Sequence, residues 1–222
     1  MKLRIIFFSF ILLLIPVTIF WGDKPISLFL KSLEMEVFFG HWNPPATEID
    51  SRIPLTFREL FTCIDILGNT IGVFLFLGLC CMVSKKCYQH FPLLIFGVLG
   101  AGAISHIIKK CVVRIRPYAF DFSEKTWHSF DGFSFLQNSG EISQSFPSGH
   151  TTLAVAAIIF LTWLFPHGKW CFYTLGLWLI LYRIAMGAHY LSDTLAGILV
   201  GGIFAYLCIF LWEKFFQTPE NA

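Results

Sequence analysis

The sequence predicts an all-α polytopic membrane protein, with six transmembrane helices gathered in a bundle. Three observations lead there. Of the 222 residues, 56% are hydrophobic and only 14% are charged, whereas a soluble domain carries roughly 25% charged residues. Mean hydropathy is +0.69. The apolar residues also fall in long runs, at 4–21, 61–83, 91–112, 150–166, 171–188 and 193–212. Each run is close to the roughly 20 residues that a spanning helix needs. The length suits one domain over 1–222.

The first run follows Lys2 and Arg4. Its apolar core is longer than that of a cleaved signal, and TIFWGDKP offers no small-x-small cleavage site, so it reads as a retained anchor. The second run ends at Lys85 and Lys86, and the third at KKCVVRIRP. PSGH opens the fourth, the tight turn PHGKW joins it to the fifth, and RIAMGAHYLSD leads from the fifth to the sixth. With both ends cytoplasmic, Lys2, Arg4, Lys85, Lys86, Lys169 and Lys214 lie inside, as the positive-inside rule favours. The outer segments are then 22–60, 113–149 and the joint near 189–192. They hold the acids Asp23, Glu34, Glu36, Glu48, Asp50, Asp121, Glu124, Asp131 and Glu141. The polar face of the bundle is expected on the outer side. The stretches VFFGHWNPP and TWHSFDGFSF suit the headgroup layer.

Composition also excludes some partners. A net charge of +2 without a basic stripe argues against nucleic acid. Seven cysteines without a CxxC pair argue against a zinc or redox site and read as small packing residues.

Three clusters carry the chemistry. Lys109, Lys110, Arg114 and Arg116 end the third run, and ionisable groups at membrane depth mark a functional site by default. Ser148, Gly149 and His150 open the fourth. A helix N-terminus presents unbonded N–H groups to an anion, and glycine lets the anion approach the backbone. Arg183, His189 and Asp193 lie around the last joint. An aspartate four residues after a histidine reaches one ring nitrogen if that turn is helical, leaving the other nitrogen as a nucleophile. The six-span topology brings all three clusters to one side. A cation-rich pocket with a nucleophile and an acid suits phosphoryl transfer.

These residues resemble the type 2 phosphatidic acid phosphatase family, which also includes vanadium haloperoxidases. The family pattern K-x6-R-P, P-S-G-H, S-R-x5-H-x3-D is met by Lys109 to Arg116-Pro117, then by Pro147-Ser148-Gly149-His150. It ends on Arg183, His189 and Asp193, with Tyr182 standing where the family has serine. The resemblance covers about 60–212. It implies His189 as the nucleophile, forming a phosphohistidine, with Asp193 orienting it. It implies His150 as general acid and then base, and Lys109, Arg116, Ser148, Gly149 and Arg183 as phosphate ligands. It also implies a bacterial inner membrane, with the polar face of the bundle toward the periplasm. No metal and no cofactor are implied. The partners are the bilayer and a lipid phosphate, either a monoester or a diphosphate such as lipid A phosphate or undecaprenyl diphosphate. Two alternatives stand beside hydrolysis: phosphate transfer from undecaprenyl diphosphate to lipid A, and a non-enzymatic scaffold. Lys110 and Arg114 lie outside the pattern and read as snorkelling cations rather than a second anion site. His41, His90, His106, His128 and His167 read as structural or interfacial.

Overall fold

The computed structural model describes residues 2–32, 66, 68–123, 129–133 and 140–216. The chain is mostly helical, and a helix lies at each of the six apolar runs. The first, α1 (Lys2–Val17), continues through a π-helical turn at Thr18–Gly22 into α2 (Asp23–Ser32). Next come α3 (Thr70–Val83), the short α4 (Lys85–Gln89) and α5 (Phe91–Cys111). After the polar segment follow α6 (Gly149–Leu164), α7 (Lys169–Ala185) and α8 (Leu191–Phe216). Among the described residues, three helices are long and apolar enough to cross a membrane: Arg4–Ser32, Phe91–Cys111 and Leu191–Phe216. Thr70–Val83 and Gly149–Leu164 are apolar but shorter.

Boundaries differ from expectation where local chemistry overrides hydropathy. Asn69 caps α3, its side chain accepting the Gly72 N–H at 2.8 Å, so that helix begins at Thr70. The first helix runs to Ser32, well into the expected outer loop 22–60. The turn at Thr18–Gly22 is widened, with Asp23 N–H donating to Thr18 O, just before Pro25 withdraws an amide donor. A buried partner for Asp23, described below, holds this extension in place. Of the loop 22–60, residues 33–60 lie outside the described residues. So do His41, Glu124 and His128.

The expectation of a purely helical chain needs one correction. The polar segment contains a two-stranded antiparallel ribbon, β1 (Val112–Arg114) with β2 (Phe130–Phe133). Val112 pairs with Phe133, Val113 with Gly132 and Arg114 with Phe130, with an irregularity after Val113. Two β-branched valines straight after a helix end favour an extended chain.

Helix α8 is the hub and packs most extensively on α6, then on α5 and α1. Leu77, Leu94, Val98, Phe160, Leu161 and Ala205 form the core between α3, α5, α6 and α8. Close approach comes from glycine. A Cβ on Gly201 would stand 2.3 Å from Thr152 O, and one on Gly197 2.8 Å from Ser148 O, both atoms of the α6 backbone. The small-residue seam is the usual route to tight helix pairing where lipid competes for every apolar surface. The outside is apolar: Leu13, Trp21, Ile71, Met82, Phe96 and Phe210 are all more than half exposed. A water-facing surface would not carry this much apolar area, whereas a bilayer matches it.

Candidate active site at the α5, α6 and α8 termini

The site grows from helix ends. Lys109 occupies the last turn of α5, and its Nζ donates to Gln144 O at 2.8 Å. The chain leaves α5 through β1, and Arg116 Nε donates to Glu141 O at 2.9 Å. Backbone bonds fasten the polar segment to the helix ends: Arg116 N–H to Ile142 O, Ser145 N–H to Arg114 O, Tyr118 N–H to Gly187 O and Ser148 N–H to Asp193 O.

Ser148 is the N-cap of α6. Its buried Oγ accepts the Thr151 N–H at 3.4 Å and the Thr151 hydroxyl at 3.0 Å, which leaves one hydroxyl proton to donate. Gly149 begins the helix, and a Cβ there would meet only Ser105 Oγ, at 4.0 Å. Packing therefore does not require glycine at 149, and the open space above its N–H has room for an anion. Gly149 and His150 line a cavity of about 500 Å³ together with Lys109, Ser105, His106 and Asn69. His106, read from sequence as structural or interfacial, shares this cavity, one helical turn before Lys109. His90 matches expectation, its Nδ1 2.8 Å from Lys86 O and its ring edge-on to Trp163.

The joint from α7 to α8 is not helical. Helix α7 ends at Ala185, and Gly187 at φ +64° turns the chain, a conformation that glycine adopts without strain. His189 precedes α8 rather than riding on it, but it still faces Asp193 in the first turn, with Nδ1 3.6 Å from Oδ2. Asp193 reaches back to accept the Tyr190 N–H at 2.9 Å, as the acid of a capping box does. His189 is 2% exposed and Arg183 3%. Burial pushes the His189 imidazole down to about 3. Asp193 opposes that shift, and Lys109, Arg183 and Arg116 reinforce it. The ring is thus neutral near pH 7, the state a nucleophile requires. Burial, and after it Arg183, also lowers Arg116, a sign of cations crowded together. Such crowding is relieved by a bound anion.

The structure brings Lys109, Arg116, Ser148, Gly149, His150, Arg183, His189 and Asp193 to one end of the bundle. It corrects the reading of Arg114. That side chain does not snorkel: it is fully buried. Its Nη1 donates to Asp193 Oδ1 and, at 2.6 Å, to Ser192 Oγ. Nη2 donates to Asp23 Oδ2 at 2.7 Å, and Nε to Ser129 Oγ at 3.0 Å. The guanidinium lies between the rings of Phe130 and Tyr190, 4.3 and 4.1 Å from their centroids. Ser145 adds a 2.5 Å donation to Asp193 Oδ2. Sequence reasoning missed Asp23, Arg114, Ser145 and Ser192. The one available signal was a second arginine in KKCVVRIRP. Asp23 had none, since its partners lie 91 and 169 positions away.

Known proteins resemble the segment of the chain that carries these residues. Residues 91–217 match the PAP2 superfamily. The lipid A 1-phosphatase of Rhizobium etli is 34% identical over 118 residues, 53% of this chain and 48% of that protein. That of Rhizobium johnstonii is 34% identical over 122 residues, 54% of this chain and 47% of that protein. The chain thus spans about half the length of these curated relatives. The crystal structure of a transmembrane PAP2 type phosphatidylglycerolphosphate phosphatase from Bacillus subtilis superposes with a TM-score of 0.53 at 19% identity. That match covers 98% of this chain and 100% of the other, and it shows a shared fold. Since the superfamily match takes in more than half of the chain, with Lys109, Arg116, His150, Arg183, His189 and Asp193 inside it, the chain belongs to the PAP2 superfamily.

Proposed function

We propose that this protein is a six-span membrane lipid phosphatase that removes phosphate from a bacterial lipid, with lipid A phosphate favoured over undecaprenyl diphosphate. The observation that carries the proposal is the buried, neutral His189 among Lys109, Arg116 and Arg183. The two rhizobial relatives, named for lipid A 1-phosphate removal, favour the substrate.

On this reading each group at the site has a step. Lys109, Arg116, Arg183, the Ser148 hydroxyl and the Gly149 N–H take the phosphate oxygens. His189 Nε2 attacks phosphorus, since Nδ1 faces Asp193. The N–P bond forms, the P–O bond to the lipid breaks, and His150 gives its proton to the leaving oxygen. His150 then takes a proton from water, which attacks phosphorus. The N–P bond breaks, and inorganic phosphate leaves. Asp193 supports the positive ring of the intermediate. The chain's own residues supply every step without a metal or cofactor.

Phosphate release by purified protein tests this on lipid A 1,4′-bisphosphate, undecaprenyl diphosphate and phosphatidate. Release from lipid A well above the other two is expected, and no release from any of them would refute the phosphatase reading. A periplasmic site is tested with single cysteines in a background lacking the native ones. Position 121, exposed beside the site, should react with a membrane-impermeant thiol reagent in intact cells, and position 85 should not. The reverse pattern would place the site at the cytoplasmic face.

A further inference from the structure

Asp193 is held by more than its histidine. Arg114, the Ser145 hydroxyl and the Tyr190 N–H all donate to it. Asp23 is likewise met only by donors: Arg114 Nη2 at 2.7 Å, the Ser192 N–H at 3.0 Å and the Ser192 hydroxyl at 2.5 Å. A carboxylate that only accepts is an ionised one. Both carboxylates and the guanidinium are fully buried.

The charges explain why two acids are present. Arg114 alone would neutralise Asp193 and cancel its attraction for a positive imidazole. Within this cluster two carboxylates stand against one guanidinium, an excess of one negative charge that lies next to the cations Lys109, Arg116 and Arg183 also gathered around His189. When His189 Nε2 is phosphorylated, the ring becomes positive with a proton on Nδ1, on the side that faces Asp193. The resting ring is neutral and gains nothing from the carboxylate charge, whereas the positive ring of that state is attracted to it. That is differential stabilisation of the reacting form.

We propose that Asp23, on the N-terminal helix and outside the residues that match the superfamily, is a positioning residue that acts through Arg114 and Ser192 to hold Asp193 and keep it effective as the partner of phosphorylated His189. The inference rests on the phosphohistidine reading. Asp23 touches no substrate. It offsets the Arg114 charge and fixes the guanidinium so that its Nη1 can hold Asp193.

The test is a double-mutant cycle in the full-length protein, with lipid A 1,4′-bisphosphate in detergent micelles. Asp23→Asn keeps the size and removes the charge. Outer partners that hold metal ligands typically cost about 10–100-fold when lost, and Asp23 stands in the same relation to Asp193. Asp23→Asn should therefore lower kcat by at least about tenfold while KM changes less than about twofold. In an Asp193→Asn background the same change should have almost no further effect, because there is no carboxylate left to act through. A merely structural role would depress both backgrounds by the same factor, and that result, or an undiminished kcat, would overturn the proposal. If Asp23→Asn does not fold, Ser192→Ala enters the same cycle, removing the bridging hydroxyl and leaving the charges. A loss of about threefold, absent with Asp193→Asn, is then expected, and an equal loss in both backgrounds overturns it. Acid-labile phosphate trapped on His189 of the unmutated protein tests the parent reading separately. Its absence removes the phosphohistidine, whereas an additive cycle in protein that does trap phosphate removes only Asp23.

Discussion

Replacing His189 with alanine should reduce lipid phosphate release by more than about 10⁴-fold, as expected when a nucleophile is deleted from a site whose groups act as a unit. The loss should come without unfolding. Asp193 keeps Arg114, Ser145 and the Tyr190 N–H as donors, so truncating the ring takes no hydrogen bond from it. The contrast is Asp193→Ala. It strips those buried donors of their acceptor, at about 1–3 kcal/mol for each one left unsatisfied, although Arg114 keeps Asp23 as its charge partner. Thermal melting should therefore separate the two variants, with His189→Ala near the parent and Asp193→Ala well below it. Asp193→Asn, which keeps shape and an acceptor, should fall between. Substantial phosphate release by His189→Ala would assign the nucleophile elsewhere.

The second large effect should come from a residue with no chemistry. A Cβ at Gly201 would press on Thr152 O at 2.3 Å, with Thr152 C and Cα at 3.1 and 3.2 Å. These are backbone atoms, so no rotamer change relieves the contact and α6 must move off α8. Overpacking of this kind costs about 1–3 kcal/mol. The shift should also reach the site, because α6 carries Ser148 and His150 while α8 carries Asp193, and the Ser148 N–H to Asp193 O bond spans the two. A misplacement of about 1 Å can cost about 10²-fold in rate. Gly201→Ala should lower both melting temperature and kcat, with a larger effect on kcat. Gly78 is the control: a Cβ there meets nothing within 4 Å, and alanine at that half-buried helix position should be neutral or stabilising by up to about 1 kcal/mol. Equal behaviour of the two variants would discount the seam.

The helices were legible because hydropathy runs at nearly their full length and because Gly187, Pro166 and Ser148 punctuate them. The catalytic set was legible because its spacing is carried within three short stretches. Two kinds of feature were not. The strands β1 and β2 are three and four residues long, too short for a period to show, and they pair across a gap of sequence. Arg114 looked like its neighbours Lys110 and Arg116 because charge type alone does not say whether a side chain is dry. Its burial depends on Asp23, Ser129, Ser192, Phe130 and Tyr190 arriving from three other parts of the chain. Asp23 itself read as one more acid of an outer loop, because a hydropathy window stops at a charge whether or not that charge has a partner.

The widened turn at Thr18–Gly22 sets where Asp23 points. Such a turn holds one residue more than a regular helix would use, and each residue of an α-helix turns the chain by about 100°. The extra residue therefore works as a phase correction between two faces of one rod. Upstream, Phe8 lies against Tyr206 and Arg4 over the same ring; downstream, Asp23 meets Arg114. An unbroken helix cannot satisfy both: with the first face seated, Asp23 would be swung a quarter turn or more away from its guanidinium. The N-terminal helix is thus keyed in rotation as well as in depth, so shortening the turn by one residue is a harsher change than replacing any of the five.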